Sequence, residues 1–429
     1  MSDLPTGWAD EPIDALGEIV GGGTPSRAAT SFWGGSIPWV TPTDITALTS
    51  KYVWDTPEKI TDDGLVGSAA RLLPRGAIVV TTRATLGEAA IAAVPLTTNQ
   101  GFKNIIPNET TDEVFTYYLL KTLRPAMLRL ASGTTFPEIS KKDFSKIRIQ
   151  RPIRTEQERI GALLDTADEA IAKTEAVIAK LRQVRTGLIH DLLTCGLDEN
   201  GHIRDPITHP EQFQNSPLGS IPCDWEVLQL RDTIERVYDY RGRTPLKIGM
   251  AWGGGDIPAL SANNVEMGQI NFSKESHQGS SDLYERWMTQ GDTEEGDVLM
   301  TMEAPLGNIA QVPDNRRYIL SQRVILLRPK TQRFTKDYLA LQMAGPRFQK
   351  ELIRQSSGST AVGIQRAKLE LMHIAVPRRR EEQDCAAQIV RLHDKQIRQH
   401  EAELIKLQSI KTGLMDDLLT GRVRVPETT

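Results

Sequence analysis

Seven histidines, three cysteines and 55 acidic residues are the side chains of this 429-residue chain best able to carry a reaction. Their spacing decides against most reactions. His190, His202, His209, His277, His373, His393 and His400 are scattered, and only the last pair shares a clear pattern. His393 and His400 stand seven apart, whereas a metal pair on a helix needs three or four, so they read as seam or surface positions. His202 and His209 lie in a polar stretch containing Gly and Pro, where a solvated role is expected. Cys195, Cys223 and Cys385 form no CxxC, which opposes both a disulfide framework and a zinc site. No Gly-Lys dipeptide occurs, so there is no P-loop. No lysine follows an Asp or Glu by two positions, and no Asn- or Asp-Pro-Pro-Tyr stretch is present. These absences remove the usual nuclease and amino-methyltransferase patterns. Gly21-Gly22-Gly23 could suggest a phosphate cradle, yet it lacks a strand–loop–helix frame and reads as a turn-former. No catalytic residue and no metal ligand is nominated. The chain reads as a binder.

What positions its binding groups is an internal repeat. TGLIHDLLT (186–194) and TGLMDDLLT (412–420) agree at seven of nine positions. Upstream, LPTGW (4–8) answers IPCDW (221–225), and WGGSIPWV (33–40) answers WGGGDIPAL (252–260). RGAIVVTTRATLGEAAI (75–91) answers EGDVLMTMEAPLGNIA (295–310), and SGTTFPEIS (132–140) answers SGSTAVGIQ (357–365). RPIRTEQERI (151–160) answers VPRRREEQDC (376–385) and leads back to the first pair. The offset drifts from 217 to 226, as loops varying around one frame would produce.

Length alone favours two or more domains. A hydrophobic content of 39% and a charged content of 25% describe a globular chain. No apolar run approaches the roughly 18 residues of a membrane helix, and MSDLPTGWADEP lacks a secretory signal pattern. A reducing cytoplasm is the expected compartment, with no membrane partner. The net charge of −4 weakly opposes a nucleic-acid partner, so any such surface must be a local patch.

The first part of each repeat, roughly 1–150 and 218–376, is rich in Gly, Pro, Thr and short apolar runs. Runs such as AIVVTT (77–82) and YILSQRVILL (318–327) read as strands, with helices expected over 113–131 and 336–353. The fold class is α+β: two pseudo-repeated α/β domains separated by two long, antiparallel coiled-coil helices. The expected order is domain 1 (1–150), a central long helix (151–196), a linker (197–217), domain 2 (218–376) and a C-terminal long helix (377–429). Thr155-Glu156-Gln157-Glu158 reads as a capping box. Apolar residues recur by sevens at Leu164, Ile171, Ile178 and Leu192, with Arg185 interrupting, and Leu181 and Leu188 flank them. Val390, Ile397, Leu404 and Leu418, with Leu407 and Leu414, repeat the pattern, and Lys411 stands where Arg185 does. Such seams need a partner. Each helix can serve the other about an approximate two-fold axis, as a rod of roughly 60 Å; the alternative has each helix lying across its own domain.

These phrases carry a family resemblance. GGGTPS (21–26), WGGSIPWVTPTDI (33–45), TTRATLGEAAI (81–91), NQGF (99–102), SGTTFPEIS, the Pro-x-x-x-Glu-Gln start of the helix (152–157) and the closing GLxxDLLTG together resemble the specificity subunit of a type I restriction–modification system. The linker 196–227 is similar too, so the resemblance covers essentially the whole chain. It implies two target recognition domains, each reading one half of a bipartite, asymmetric double-stranded DNA site. The helices would set the gap and dock two modification (methyltransferase) subunits, with restriction (translocase/nuclease) subunits added for cleavage. S-adenosylmethionine, ATP and Mg would be used by those partners and none bound by this chain, which would itself be no enzyme. A rod of roughly 60 Å spans about 18 base pairs. The competing reading is a coiled-coil scaffold that reads no DNA.

Base readout needs donors and acceptors on loops, with other groups holding phosphates. The first domain offers Arg27, Thr43, Arg83, Thr134, Lys141 and Lys142; the second offers Arg241, Arg243, Asn263, Asn264, Gln322, Arg323, Ser359 and Gln365. Arg83 and its counterpart Glu303 differ in sign, which suits guanine in one half and cytosine in the other, or a structural salt bridge at Glu303. Trp33 and Trp252 read as packing anchors, and Gly87 and Gly307 as structural turns. Arg378-Arg379-Arg380 either grips phosphate or is a solvated helix start. The bases read, the spacer length and the assignment of domains to half-sites are not written in the sequence.

Overall fold

Short apolar runs bounded by Gly and Pro become strands buried on both faces, as at Ile78, Val79 and Val80, all 0% exposed. The computed structural model describes residues 4–83, 85–132, 137–358 and 362–425. It divides into two units, Met1–Ala176 with Glu401–Thr429, and Val177–His400. The first unit holds a sheet in the order Gly17–Gly21, Lys103–Pro107, Ile78–Val80, Ala89–Ala92, Tyr52–Val53. The second repeats that order with Ile234–Asp239, Val324–Pro329, Val298–Met302 and Leu306–Gln311. A smaller sheet in each unit contains a parallel pair, Trp39 beside Thr97 in one and Ala259 beside Ile319 in the other.

Several sequence expectations are corrected in detail. The run 318–327 is two strands, Ile319–Leu320 and Val324–Pro329, because Arg323 takes a left-handed φ of 65°. The helix expected over 113–131 is Glu113–Thr122 followed by Arg124–Leu130, and that over 336–353 is Lys336–Ala344 followed by Pro346–Gln355. Pro125 and Pro346 each open the second helix of the pair, where a missing N–H costs nothing. Gly22 and Gly23 serve close approach and not a turn: a Cβ on Gly22 would lie 1.9 Å from the Asn99 carbonyl oxygen. The expected capping box is not formed. The helix already begins at Arg154, and the Glu158 carboxylate accepts from Arg154 Nε at 2.9 Å.

The two long helices are Arg154–Thr194 and Arg380–Leu418. Every expected seam position is buried or half-buried: Leu164, Ile171, Ile178, Leu181, Leu188 and Leu192 on the first, Val390, Ile397, Leu404, Leu407, Leu414 and Leu418 on the second. His393 and His400 also lie half-buried in this row. In the first unit Ile160 and Leu164 share a core with Leu418 and Leu419, and Lys411 Nζ meets Asp168 at 2.5 Å. In the second unit Ile189 and Leu192 share a core with Ala386 and Val390, and Arg185 Nη2 donates to Asp394 at 3.1 Å. The partners run in opposite directions along the two helices. Under the repeat offset the two ion pairs are each other's images, with acid and base exchanged between helices.

The Glu-Gln motif joins each long helix to its domain. Gln157, fully buried, accepts from Asp112 N–H at 3.0 Å and donates to the carbonyls of Thr110 at 3.1 Å and Pro152 at 2.8 Å. Gln383 makes the same set with Thr335 N–H at 3.0 Å and the carbonyls of Arg333 at 3.1 Å and Pro377 at 2.9 Å. Asp112 and Thr335 are the N-caps of corresponding domain helices. The preceding glutamates are buried beside arginines. Glu156 takes a two-pronged contact from Arg424, both distances 2.7 Å. Glu382 accepts from Arg204 at 2.8 Å, Leu197 N–H at 2.8 Å and Trp225 Nε1 at 3.0 Å. Each arginine lies just beyond the end of one long helix and clamps the start of the other. The glycine closing each helix is left-handed, Gly196 at φ 66° and Gly421 at φ 72°. A Cβ there would lie 2.5 Å from Trp225 or 3.1 Å from Trp8, which is why the motif ends in glycine.

Substituting Gln157→Ala or Gln383→Ala orphans two buried backbone groups, an N-cap N–H and a strand-end carbonyl. Each variant is expected to lose about 3 kcal/mol of stability in urea unfolding; a loss under about 1 kcal/mol would contradict the latch.

Candidate nucleic-acid interface

In both units one strand end, one neighbouring turn and one hairpin stalk meet at the sheet rim. In the first unit Thr82 N–H donates to the Gly101 carbonyl at 2.8 Å, and Ile139 N–H donates to the Thr82 carbonyl at 3.0 Å. Ser132 and Glu138 exchange two backbone hydrogen bonds, both 2.9 Å, forming the stalk. Arg83 bridges Glu138 through the backbone, and Arg83 Nε approaches the Glu138 carboxylate to 3.7 Å. The second unit copies this backbone: Met302 N–H to Arg323 carbonyl at 2.8 Å, Ile364 N–H to Met302 carbonyl at 3.2 Å, and Ser357 paired with Gly363 at 2.9 and 3.0 Å. Its side chains differ. Glu303 bridges Gly363, and its carboxylate faces Arg323 Nε at 3.6 Å. Three equivalent positions therefore read Arg83, Gly101, Glu138 in one unit and Glu303, Arg323, Gly363 in the other.

The remaining nominated side chains fall into two groups. Some are already engaged. Arg27 forks onto Glu58, with Nη2 at 2.8 Å, and lies 3.9 Å over the Trp33 ring, so the carboxylate raises its pKa above the usual arginine value. Arg241 folds back onto Asp239, Nη2 at 2.6 Å, and that hydrogen bond raises its pKa in turn. Arg243 Nη1 donates to the Trp287 carbonyl at 2.9 Å. Asn264 is 0% exposed and braces its own loop, accepting from Ser261 N–H at 2.8 Å and donating to the Ala259 carbonyl at 3.1 Å. Asp44 does the same for Thr41 in the other unit, at 2.8 Å. Asn263 is exposed and donates to the Glu275 carbonyl at 2.7 Å.

Most of the others are exposed. Thr43 is exposed on the short helix Pro42–Ala47, and Lys141 and Lys142 are exposed on Lys141–Phe144. Gln322 and Arg323 share an exposed turn, and Gln365 is the exposed N-cap of Arg366–Glu370. Thr134 and Ser359 lie outside the described residues. Of the basic run, Arg379 and Arg380 bond within their own unit, to the carbonyls of Leu197 and Thr331, and Arg378 is exposed. Sequence reasoning missed Glu138 and Lys103. Lys103 is half-buried, and burial lowers its pKa while Glu138 raises it. Nothing in the local sequence marks either residue, because both matter through partners distant in the chain. Among the described residues no group of three His, Cys, Asp or Glu could hold a metal ion, and no helix is long and apolar enough to cross a membrane.

A family model described as the type I restriction modification DNA specificity domain matches residues 5–183 and again 222–409. The chain belongs to that family. Its two matched stretches are the two copies of the repeat. Among relatives in the family, the type I restriction enzyme MjaIX specificity subunit of Methanocaldococcus jannaschii is 33% identical over 55% of this chain and 53% of its own length. The match thus spans about half of that relative. The MjaVIII specificity subunit of the same organism is 26% identical over 74% of this chain and 72% of its own length. The EcoR124I/EcoR124II specificity subunit of Escherichia coli is 30% identical over 42% of this chain and 46% of its own. The fold resembles a crystal structure of the type I restriction–modification S subunit from M. genitalium, with a TM-score of 0.57 at 16% identity, covering 100% of this chain and 98% of that one. A structure from work on complex assembly and conformational transition of the type I system gives 0.58 at 17% identity, covering 99% of this chain and 100% of that one.

The buried loop brace separates two adjacent asparagines of this family member. Asn264→Ala is expected to destabilise by about 2 kcal/mol, and Asn263→Ala by no more than about 0.5 kcal/mol, in chemical denaturation. Equal effects would mean that Asn264 braces nothing.

Proposed function

We propose that the two units read the two halves of a bipartite, asymmetric DNA site, and that the paired helices set the gap and dock two modification subunits. Restriction subunits complete the complex when cleavage occurs. The observation carrying this reading is the repeat itself: two sheets of the same strand order and two identical Gln latches present rims whose charged residues differ. A shared frame with unequal rims suits one molecule reading two unlike sequences while offering equivalent helix surfaces to two identical partners. The exposed lysines Lys141 and Lys142 and the polar turn at Gln322 and Arg323 are of the types that hold phosphate and base edges. Membership of the specificity family supports the same reading.

The catalytic steps belong to the partners in this account. S-adenosylmethionine, ATP and Mg act there, and this chain contributes position and sequence choice in the cytoplasm.

Exchanging residues 1–150 for the corresponding domain of another family member is expected to change one half-site and leave the other intact, read by mapping methylated adenines. Lengthening 170–185 by four residues, about one helical turn, is expected to change the preferred gap with both half-sites kept. Half-sites that change while the gap stays fixed would contradict the spacer role.

A further inference from the structure

The rim node of each unit holds one cation, one carboxylate and one glycine, in different order. In the first unit the carboxylate comes from the hairpin stalk (Glu138), and the turn is glycine (Gly101). In the second the cation comes from the turn (Arg323), and the stalk is glycine (Gly363). Both glycine sites are crowded: a Cβ would lie 3.0 Å from Asn99 Oδ1 at Gly101 and 3.1 Å from the Met302 carbonyl oxygen at Gly363. Each node has room for two functional side chains, and the two nodes place them on opposite flanks.

Stability does not explain this arrangement. Both pairs are about half exposed and longer than 3.5 Å, a geometry that contributes little to folding. Arg323 holds φ 65°, a region that residues with side chains rarely adopt. Glycine would sit there without strain. The arginine is therefore kept for its side chain. In both nodes the carboxylate faces Nε, and among the described residues the terminal guanidinium nitrogens have no hydrogen-bond partner. That leaves the two-pronged edge of each arginine open, the edge that matches guanine O6 and N7. A phosphate at the same place would meet the node carboxylate, whereas a neutral base edge would not.

Resting on the reading above, we propose that Arg83 and Arg323 are the guanine-reading residues of the first and second units, and that Glu138 and Glu303 are positioning residues that fix their orientation. Glu303 then supports an arginine and does not itself read cytosine.

The test is the base preference of the whole complex, assembled with modification subunits, measured by sequencing methylated members of a site library. Arg323→Gly is expected to leave thermal stability unchanged or raised, and to cut discrimination about ten- to a hundredfold at one base pair of one half-site. Arg83→Lys, which keeps the charge and loses the fork, is expected to do the same at one base pair of the other half-site. Glu303→Gln and Glu138→Gln are expected to weaken discrimination at the same base pairs as their arginines, less severely, and Glu303→Asp to restore part of it. If Arg83→Lys keeps full discrimination, or Arg323→Gly weakens all sequences equally, the arginines hold phosphate and the assignment is overturned. If the glutamine variants alter stability but no base preference, the positioning role is overturned. A wild-type complex with no sequence preference would overturn the underlying reading and this assignment together.

Discussion

Two adjacent side chains at the start of each long helix hold the architecture together: Glu156-Gln157 and Glu382-Gln383. Buried glutamine is tolerated only when its amide is fully satisfied, and here each amide takes up a domain-helix N-cap, a loop carbonyl and a strand-end carbonyl at once. The helix therefore leaves its domain at a fixed place. The neighbouring glutamate, buried at either site, would be a costly buried charge without its arginine. Because that arginine follows the end of the other long helix, each unit is closed by chain from far away in sequence: Arg424 reaches Glu156, and Arg204 reaches Glu382. The first unit joins two distant segments, Met1–Ala176 and Glu401–Thr429.

With the frame fixed this way, variation is free to collect at the rim. The backbone hydrogen bonds around residues 82, 101, 132 and 139 are repeated around 302, 323, 357 and 364, and the side chains they carry are rearranged. The seam differs from the rim: Asp168 with Lys411 and Asp394 with Arg185 are the same ion pair repeated, acid for acid and base for base. Conserved backbone with permuted charge is how a pseudo-symmetric molecule presents two chemically different faces without changing its fold.

The sequence reading reached the frame because its signals are periodic. The repeat, the seven-residue seam and the Glu-Gln and closing-glycine motifs are visible in the chain alone. Their reasons are not: the expected capping box at Thr155 is replaced by an Arg154–Glu158 contact, and Gln157 turns away to bind the domain. The rim was harder to read, since free and engaged polar residues look alike in sequence. Arg27, Arg241 and Asn264 are engaged with Glu58, Asp239 and their own loop, while the terminal nitrogens of Arg83 and Arg323 have no hydrogen-bond partner among the described residues. Glu138 escaped notice because it lies 55 residues from Arg83, and the correspondence between nodes requires three different offsets.

The central claim is one frame carrying two separate readers. Footprinting of the complex with modification subunits on DNA carrying its methylation site tests it most directly. The account predicts two short protected patches of different sequence, with an intervening stretch whose sequence can be varied without loss of protection. A single continuous footprint that depends on every base within it, or protection independent of sequence, would contradict it.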